Sequence, residues 1–230
     1  MNDDFDLERL ADIGDPFAED AKAPAPPMDR SRAPLASPTR ARLRALRTIA
    51  LAAALIYDVA WLVLHERRAD LTSTSPGGLA LGIAIPLTVA VLALGAAARS
   101  GARGLGIRAS RVAALALGGP VLFAAATVLA APPDTADPLF WRHAAGCMAV
   151  TAILALGPMA LGLWAFRRSF AAAATWRTAA VGVAAGALAA ATMSLACPIT
   201  TASHVILGHG LVMIVAGLIG ALAAPSLARS

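Results

Sequence analysis

The sequence predicts an all-α membrane protein of about six transmembrane helices, preceded by a mostly disordered acidic N-terminal tail. Hydrophobic residues make up 58% of the 230, charged residues make up only 14%, and the mean hydropathy is +0.70. A soluble domain of this length cannot bury so much apolar surface, so lipid must cover the rest. The apolar residues are also gathered in continuous runs, each close to the roughly 20 residues that cross a hydrocarbon core of about 30 Å.

Six such runs define the predicted transmembrane domain, residues 48–224. They cover residues 48–64, 77–98, 112–131, 140–166, 178–197 and 204–224. Because none carries a polar stripe at helical spacing, they do not fit the surface helices of a soluble protein. Membrane β-strands are disfavoured because they are segments of about ten residues with alternating polarity. In the fifth run, Gly182 and Gly186 form a GxxxG pair that would let two helices approach closely.

The N-terminal 47 residues divide into two segments. Residues 1–20 hold eight of the fourteen acidic residues and carry spaced apolar side chains. These apolar residues are Phe5, Leu7, Leu10, Ile13 and Phe17. Such a pattern is typical of a segment that folds on a basic partner, although solvated, disordered charge is the alternative. Residues 21–47 are rich in Pro, Ala and Arg and form the predicted linker.

Arginines concentrate on alternate loops, which predicts the orientation of the chain. They lie before the first run, between the second and third, and between the fourth and fifth. The three groups are Arg40, Arg42, Arg44 and Arg47; Arg99, Arg103, Arg108 and Arg111; and Arg167, Arg168 and Arg177. Cytoplasmic loops hold the excess of basic residues, so both termini, including a short tail at residues 225–230, are expected in the cytoplasm. The net charge of +5 therefore reflects topology and not a surface for nucleic acid.

This orientation places both cysteines in the outer half of the membrane. Cys147 lies about two turns into the fourth predicted helix and Cys197 ends the fifth, so antiparallel neighbours bring them to similar depth. A disulfide is feasible if their Cα atoms lie within about 7 Å. Cycling between dithiol and disulfide would make a switch suited to a sensor. Packing as small hydrophobic side chains is the alternative.

Metal ligation is a rival interpretation of the same region. His143 and Cys147 are one helical turn apart, and Cys197, His204 and His209 could approach them from the fifth and sixth helices. Histidines at a membrane interface are also often polar tips that reach the lipid headgroups. No metal is therefore assigned from the sequence.

Asp58 lies inside the first apolar run, about 9 Å from its outer end. An unpaired carboxylate is costly in lipid, so Asp58 is expected to be neutral or paired with Arg142 or a histidine. A transporter would show several ionisable groups along a path, and the inner half of the predicted helices has none. The sequence also has no phosphate-binding Gly loop, HExxH or nucleophile elbow, so neither catalysis nor a cofactor is expected.

Four features in the second half of the chain belong together. They are Cys147, Gly157-Pro158 with a Leu-rich stretch ending in Arg167-Arg168, an Ala/Gly-rich fifth helix ending in Cys197-Pro198, and the stretch from Gly217 to Ala224. In these features the chain resembles the NrsF-type membrane anti-sigma factors. The resemblance covers most of the chain and is strongest from Arg142 to Arg229.

The resemblance implies a protein of the bacterial inner membrane that holds an extracytoplasmic-function sigma factor through its cytoplasmic N-terminus and does not itself bind nucleic acid. It also implies that Cys147 and Cys197 take part in sensing oxidants or heavy metals, with release of the sigma factor. In the family, acidic residues often follow the Cys-Pro, whereas this chain has Ile199-Thr200-Thr201 there. Its inducing signal can therefore differ from that of the family's members. A small metal or solute transporter using the outer His/Cys residues, or a structural membrane component, is the alternative.

Overall fold

A computed structural model of the chain describes residues 40–65, 76–98, 109–131, 138–167 and 174–228. The predicted all-α class is confirmed, because these ranges contain helices and no strand. The helices are α1 (Arg40–Leu64), α2 (Pro76–Ala98), α3 (Ala109–Ala130), α4 (Phe140–Phe166), α5 (Ala174–Ala196) and α6 (Ala202–Val205), which continues through a π-helical turn (Ile206–Gly210) into α7 (Leu211–Ala228).

Among the described residues, five helical stretches are long and apolar enough to cross a membrane. They are Ala45–Leu64, Ala109–Ala130, Phe140–Phe166, Ala174–Ala196 and Ala202–Leu227. In α2 the apolar stretch Gly82–Ala98 is shorter than these. The sixth crossing, at α2, therefore stays a prediction.

The first helix begins earlier than the hydropathy predicts. The end of the predicted linker is helical from Arg40, since Arg is a good helix former although it is not apolar. Residues 1–39 lie outside the described residues. The predicted partner-binding segment, residues 1–20, is among them.

Helix α5 is the centre of the bundle. Within its apolar window 78% of the residues are buried, against 17% for α1. It packs against α1, α2, α3, α4 and α7. Most of its buried side chains are Ala and Gly, whose small size lets several helix backbones approach the same segment.

Among the described helices, α5 and α7 approach each other at several glycines. A Cβ atom added at Gly186 would lie 2.6 Å from Met213 Cα, and one added at Gly182 would meet the Ala216 carbonyl. On the other helix, a Cβ atom at Gly220 would meet the carbonyl of Thr178. These pairings run in opposite directions along the two helices, so α5 and α7 are antiparallel with their backbones in contact.

Contacts between α1 and α4 show which helix termini lie at the same end of the bundle. The Arg47 guanidinium lies over the Phe166 ring, 4.9 Å from its centroid, and the Tyr57 hydroxyl donates to the Ile153 carbonyl at 3.3 Å. The start of α1 therefore lies beside the end of α4. At the opposite end, the start of α4 lies beside the end of α5, where both cysteines are found.

Candidate functional site

The turn between α5 and α6 brings Cys197 and His204 together. Helix α5 ends at Ala196 because the residue before a proline is disfavoured in helical conformation, and Pro198 follows Cys197. The chain re-enters a helix after Thr201, whose carbonyl accepts a hydrogen bond from the Val205 amide at 3.0 Å. Cys197 Sγ consequently lies 3.4 Å from His204 Nε2.

Cys147, on α4, faces the same point from across the bundle. Its Sγ lies 3.5 Å from Cys197 Sγ, and both thiols are free. A disulfide requires about 2.05 Å between sulfurs, so this pair is a dithiol held at hydrogen-bonding distance. Cys197 is buried, whereas Cys147 is partly exposed.

The π-helical turn rotates His209 towards the same position. In an α-helix, side chains five residues apart point about 140° away from each other. Here the Leu211 amide donates to the Ile206 carbonyl, an i to i+5 bond that widens the turn. His204 and His209 therefore lie on one face, with ring centroids 5.7 Å apart and rings nearly perpendicular.

Thr151 and Gly208, neither of which the sequence singled out, hold this turn against α4. The Thr151 hydroxyl lies 2.7 Å from the Cys147 carbonyl and 3.1 Å from the Gly208 carbonyl. A Cβ atom at Gly208 would lie 3.2 Å from Cys147 Cβ, so glycine permits this close approach. The Gly-His-Gly sequence at residues 208–210 was the available signal.

Replacing the Thr151 hydroxyl should loosen that attachment. We expect Thr151→Val to lower the free energy of unfolding by about 1–2 kcal/mol, because it removes the hydroxyl that links α4 to the Gly208 carbonyl. Thermal unfolding of the purified protein in detergent measures the change. Thr192→Val is the matched control, because Thr192 is also buried and, among the described residues, its hydroxyl bonds only Leu188 of its own helix. Equal losses in the two variants would contradict a linking role for Thr151.

Cys147, Cys197, His204 and His209 form what we call the Cys/His cluster. Their four ligand-type atoms all lie within 4.8 Å of one another. Cys197 Sγ lies between Cys147 Sγ at 3.5 Å and His204 Nε2 at 3.4 Å. The arrangement therefore places two thiols and two imidazoles within reach of one another.

The other residues predicted from the sequence lie apart from the cluster. His143 and His65 are exposed, and His65 stacks on Trp61. Asp58 is buried, and neither carboxylate oxygen has a hydrogen-bond partner among the described residues. Of the two expectations for Asp58, pairing with Arg142 or a histidine is therefore not seen among the described residues, and the neutral form stays a prediction. Phe5, Leu7, Leu10, Ile13 and Phe17 lie outside the described residues.

A comparison with protein-family models identifies the chain. The model described as NrsF, negative regulator of sigma F, matches residues 32–229. The chain belongs to the NrsF family. The resemblance seen in the sequence is thereby confirmed, and the matched range contains every described helix and the whole Cys/His cluster. Searches of curated proteins and of solved structures gave no match.

Membership of the NrsF family fixes the general role. As its description states, the family consists of negative regulators of a sigma factor. The partner of this NrsF-family chain is therefore a sigma factor, and its helices suit a membrane setting. The match begins at residue 32, so residues 1–20 fall before it.

Proposed function

We propose that this chain is a membrane-bound anti-sigma factor of the bacterial inner membrane. It sequesters an extracytoplasmic-function sigma factor through residues 1–20 and releases it when a periplasmic oxidant or metal acts on Cys147 and Cys197. The observation that carries the proposal is the family match over residues 32–229. The Cys/His cluster adds a chemically reactive centre on which such a signal can act.

The distribution of charge supports the orientation that this function needs. In the described helices, Arg42, Arg47, Arg111, Arg167 and Arg177 belong to the end of the bundle at which α1 begins and α4 ends. Cytoplasmic segments carry the excess of Arg, so this end faces the cytoplasm. With six crossings, α2 included, both termini are cytoplasmic and the cluster lies on the periplasmic side.

The tail supplies the binding chemistry for the sigma factor. Spaced apolar residues such as Phe5, Leu10 and Phe17 suit a groove on a partner, and the surrounding carboxylates suit a basic rim. A DNA-binding protein offers such a basic surface. Binding there would compete with the partner's access to DNA and so would silence it.

Thiol chemistry can link the periplasmic signal to the helices. A peroxide would accept two electrons and two protons from Cys147 and Cys197 and leave as water, while a bond forms between the sulfurs. The sulfurs would close from 3.5 Å to about 2.05 Å, which pulls α4 towards the α5–α6 turn. Two packings of the bundle that differ by a few kcal/mol would then expose the tail differently.

The tail is tested by co-purification. Full-length protein in detergent should retain the sigma factor encoded beside its gene, and Phe5→Ala, Leu10→Ala and Phe17→Ala together should weaken binding by roughly a hundredfold or more, since a few anchors carry most of the binding energy. Met28→Ala with Leu35→Ala is the control, because it removes apolar side chains from the linker instead. Undiminished binding by the triple variant would exclude the tail from the mechanism.

A further inference from the structure

We propose that the Cys/His cluster is a four-ligand site for a thiophilic divalent cation of the Zn²⁺ type, with His204 and His209 as ligands beside Cys147 and Cys197. The role of this site in reading a metal signal rests on the proposed function. Metal binding by the four residues does not depend on a sigma factor.

The distances between the ligand atoms fit a tetrahedral cation. With metal–sulfur bonds of about 2.3 Å and metal–nitrogen bonds of about 2.0 Å, the sulfurs lie about 3.8 Å apart, and a sulfur and a nitrogen about 3.5 Å apart. The corresponding distances here are 3.5 Å between the sulfurs and 3.4 Å from Cys197 Sγ to His204 Nε2. Since all four atoms lie within 4.8 Å and tetrahedral ligand atoms lie about 3.3–3.8 Å apart, closing by about 1.5 Å at most completes the tetrahedron.

The two imidazoles lack the partners that buried polar groups normally have. Both histidines are only 1% exposed. His209 Nδ1 and Nε2 and His204 Nδ1 have no hydrogen-bond partner among the described residues. A buried polar atom without a partner is costly, and a bound cation would give His209 the contact that protein atoms do not.

The charge of the completed site suits its position. Two thiolates, two neutral imidazoles and a divalent cation sum to zero, whereas an isolated charge would be expelled from so apolar a setting. The thiol protons of Cys147 and Cys197 would be released to water as the cation binds. Because Cys147 is partly exposed, it gives the cation and the protons a route.

The π-helical turn positions one of the ligands. Without the Ile206–Gly210 turn, His209 would point away from His204, on the other side of the helix. A single π-turn departs from the best helical geometry, and such turns are frequently found at functional sites. A bound cation would tie α4, the end of α5 and the α6 turn together.

Cobalt titration of the purified full-length protein, reduced and in detergent, tests the site. Co²⁺ should bind with one ion per chain and give thiolate-to-cobalt charge transfer together with the intense visible bands of a tetrahedral complex, and Zn²⁺ should displace it. His204→Gln and His209→Gln should each weaken binding by roughly a hundredfold. His204→Cys replaces one ligand by another and should keep the tetrahedral spectrum. His143→Gln, one turn from Cys147 but outside the cluster, is the matched control.

The outcomes separate the site from the proposed function. If the His204→Gln and His209→Gln proteins keep their helical circular dichroism and bind Co²⁺ as tightly as the unchanged protein, the histidines are not ligands and the proposal is wrong. Absence of thiolate–cobalt absorption in the unchanged protein would also overturn it. Cobalt binding by a protein that retains no sigma factor would leave the metal site in place and remove the anti-sigma mechanism instead.

Discussion

Gly186→Leu is expected to prevent assembly of the helix bundle. At Gly186 a Cβ atom would lie 2.6 Å from Met213 Cα and 2.9 Å from Met213 N, and these are backbone atoms that cannot rotate away. Helices α5 and α7 would have to separate, and α5 is the helix against which most of the others pack. Overpacking costs about 1–3 kcal/mol even where side chains can adjust, and a backbone clash costs more. Much of a typical total stability of about 5–15 kcal/mol would be lost.

The measurement is the yield of monodisperse protein in detergent, followed by thermal unfolding of what remains. Gly118→Leu is the matched control, because a Cβ atom at Gly118 has no neighbouring atom within 4 Å. Both variants gain the same helix propensity, so the comparison isolates the packing effect. A Gly186→Leu protein as stable as the Gly118→Leu protein would mean that α5 and α7 are not in backbone contact.

The existence of the helices could be predicted from the sequence, because hydrophobic runs of membrane length have no other stable arrangement. Their ends were less predictable. Helix α1 begins at Arg40, within the predicted linker, since the first turns of a helix can be basic when they lie beyond the hydrocarbon. The close approach of α5 and α7 was signalled by Gly182 and Gly186, but the partner helix was not, because a GxxxG pair marks only one side of a contact.

The candidate site was predictable in depth but not in detail. Alternation of the helices puts Cys147 and Cys197 at one level, and the structure has their sulfurs 3.5 Å apart. The same reasoning kept both His143 and His209 as possible ligands, and of these two only His209 lies in the cluster. A π-helical turn brings His209 into the cluster, and hydropathy cannot show such a turn because the residues on either side of it are equally apolar.

Substituting either cysteine is expected to make the sigma factor unresponsive to the signal. Cys147→Ser and Cys197→Ser each remove one sulfur, and a lone thiol can neither form the intramolecular disulfide nor complete a two-thiolate site. Serine is smaller and uncharged, so the bundle should still insert and retain the sigma factor. A sigma-dependent reporter, read after peroxide or Zn²⁺ is added to the cells, should stay at the uninduced level in both variants.

Two further variants show which chemistry the thiols perform. Ala196→Ser adds the same hydroxyl one residue before Cys197 but keeps both thiols, so its response should be normal. His204→Gln also keeps both thiols, and it should retain the response to peroxide while losing the response to Zn²⁺ if metal binding is the signal. Full induction in Cys147→Ser or Cys197→Ser cells would show that the signal enters elsewhere. In that case the thiols would be ordinary packing groups, one on α4 and one just after α5.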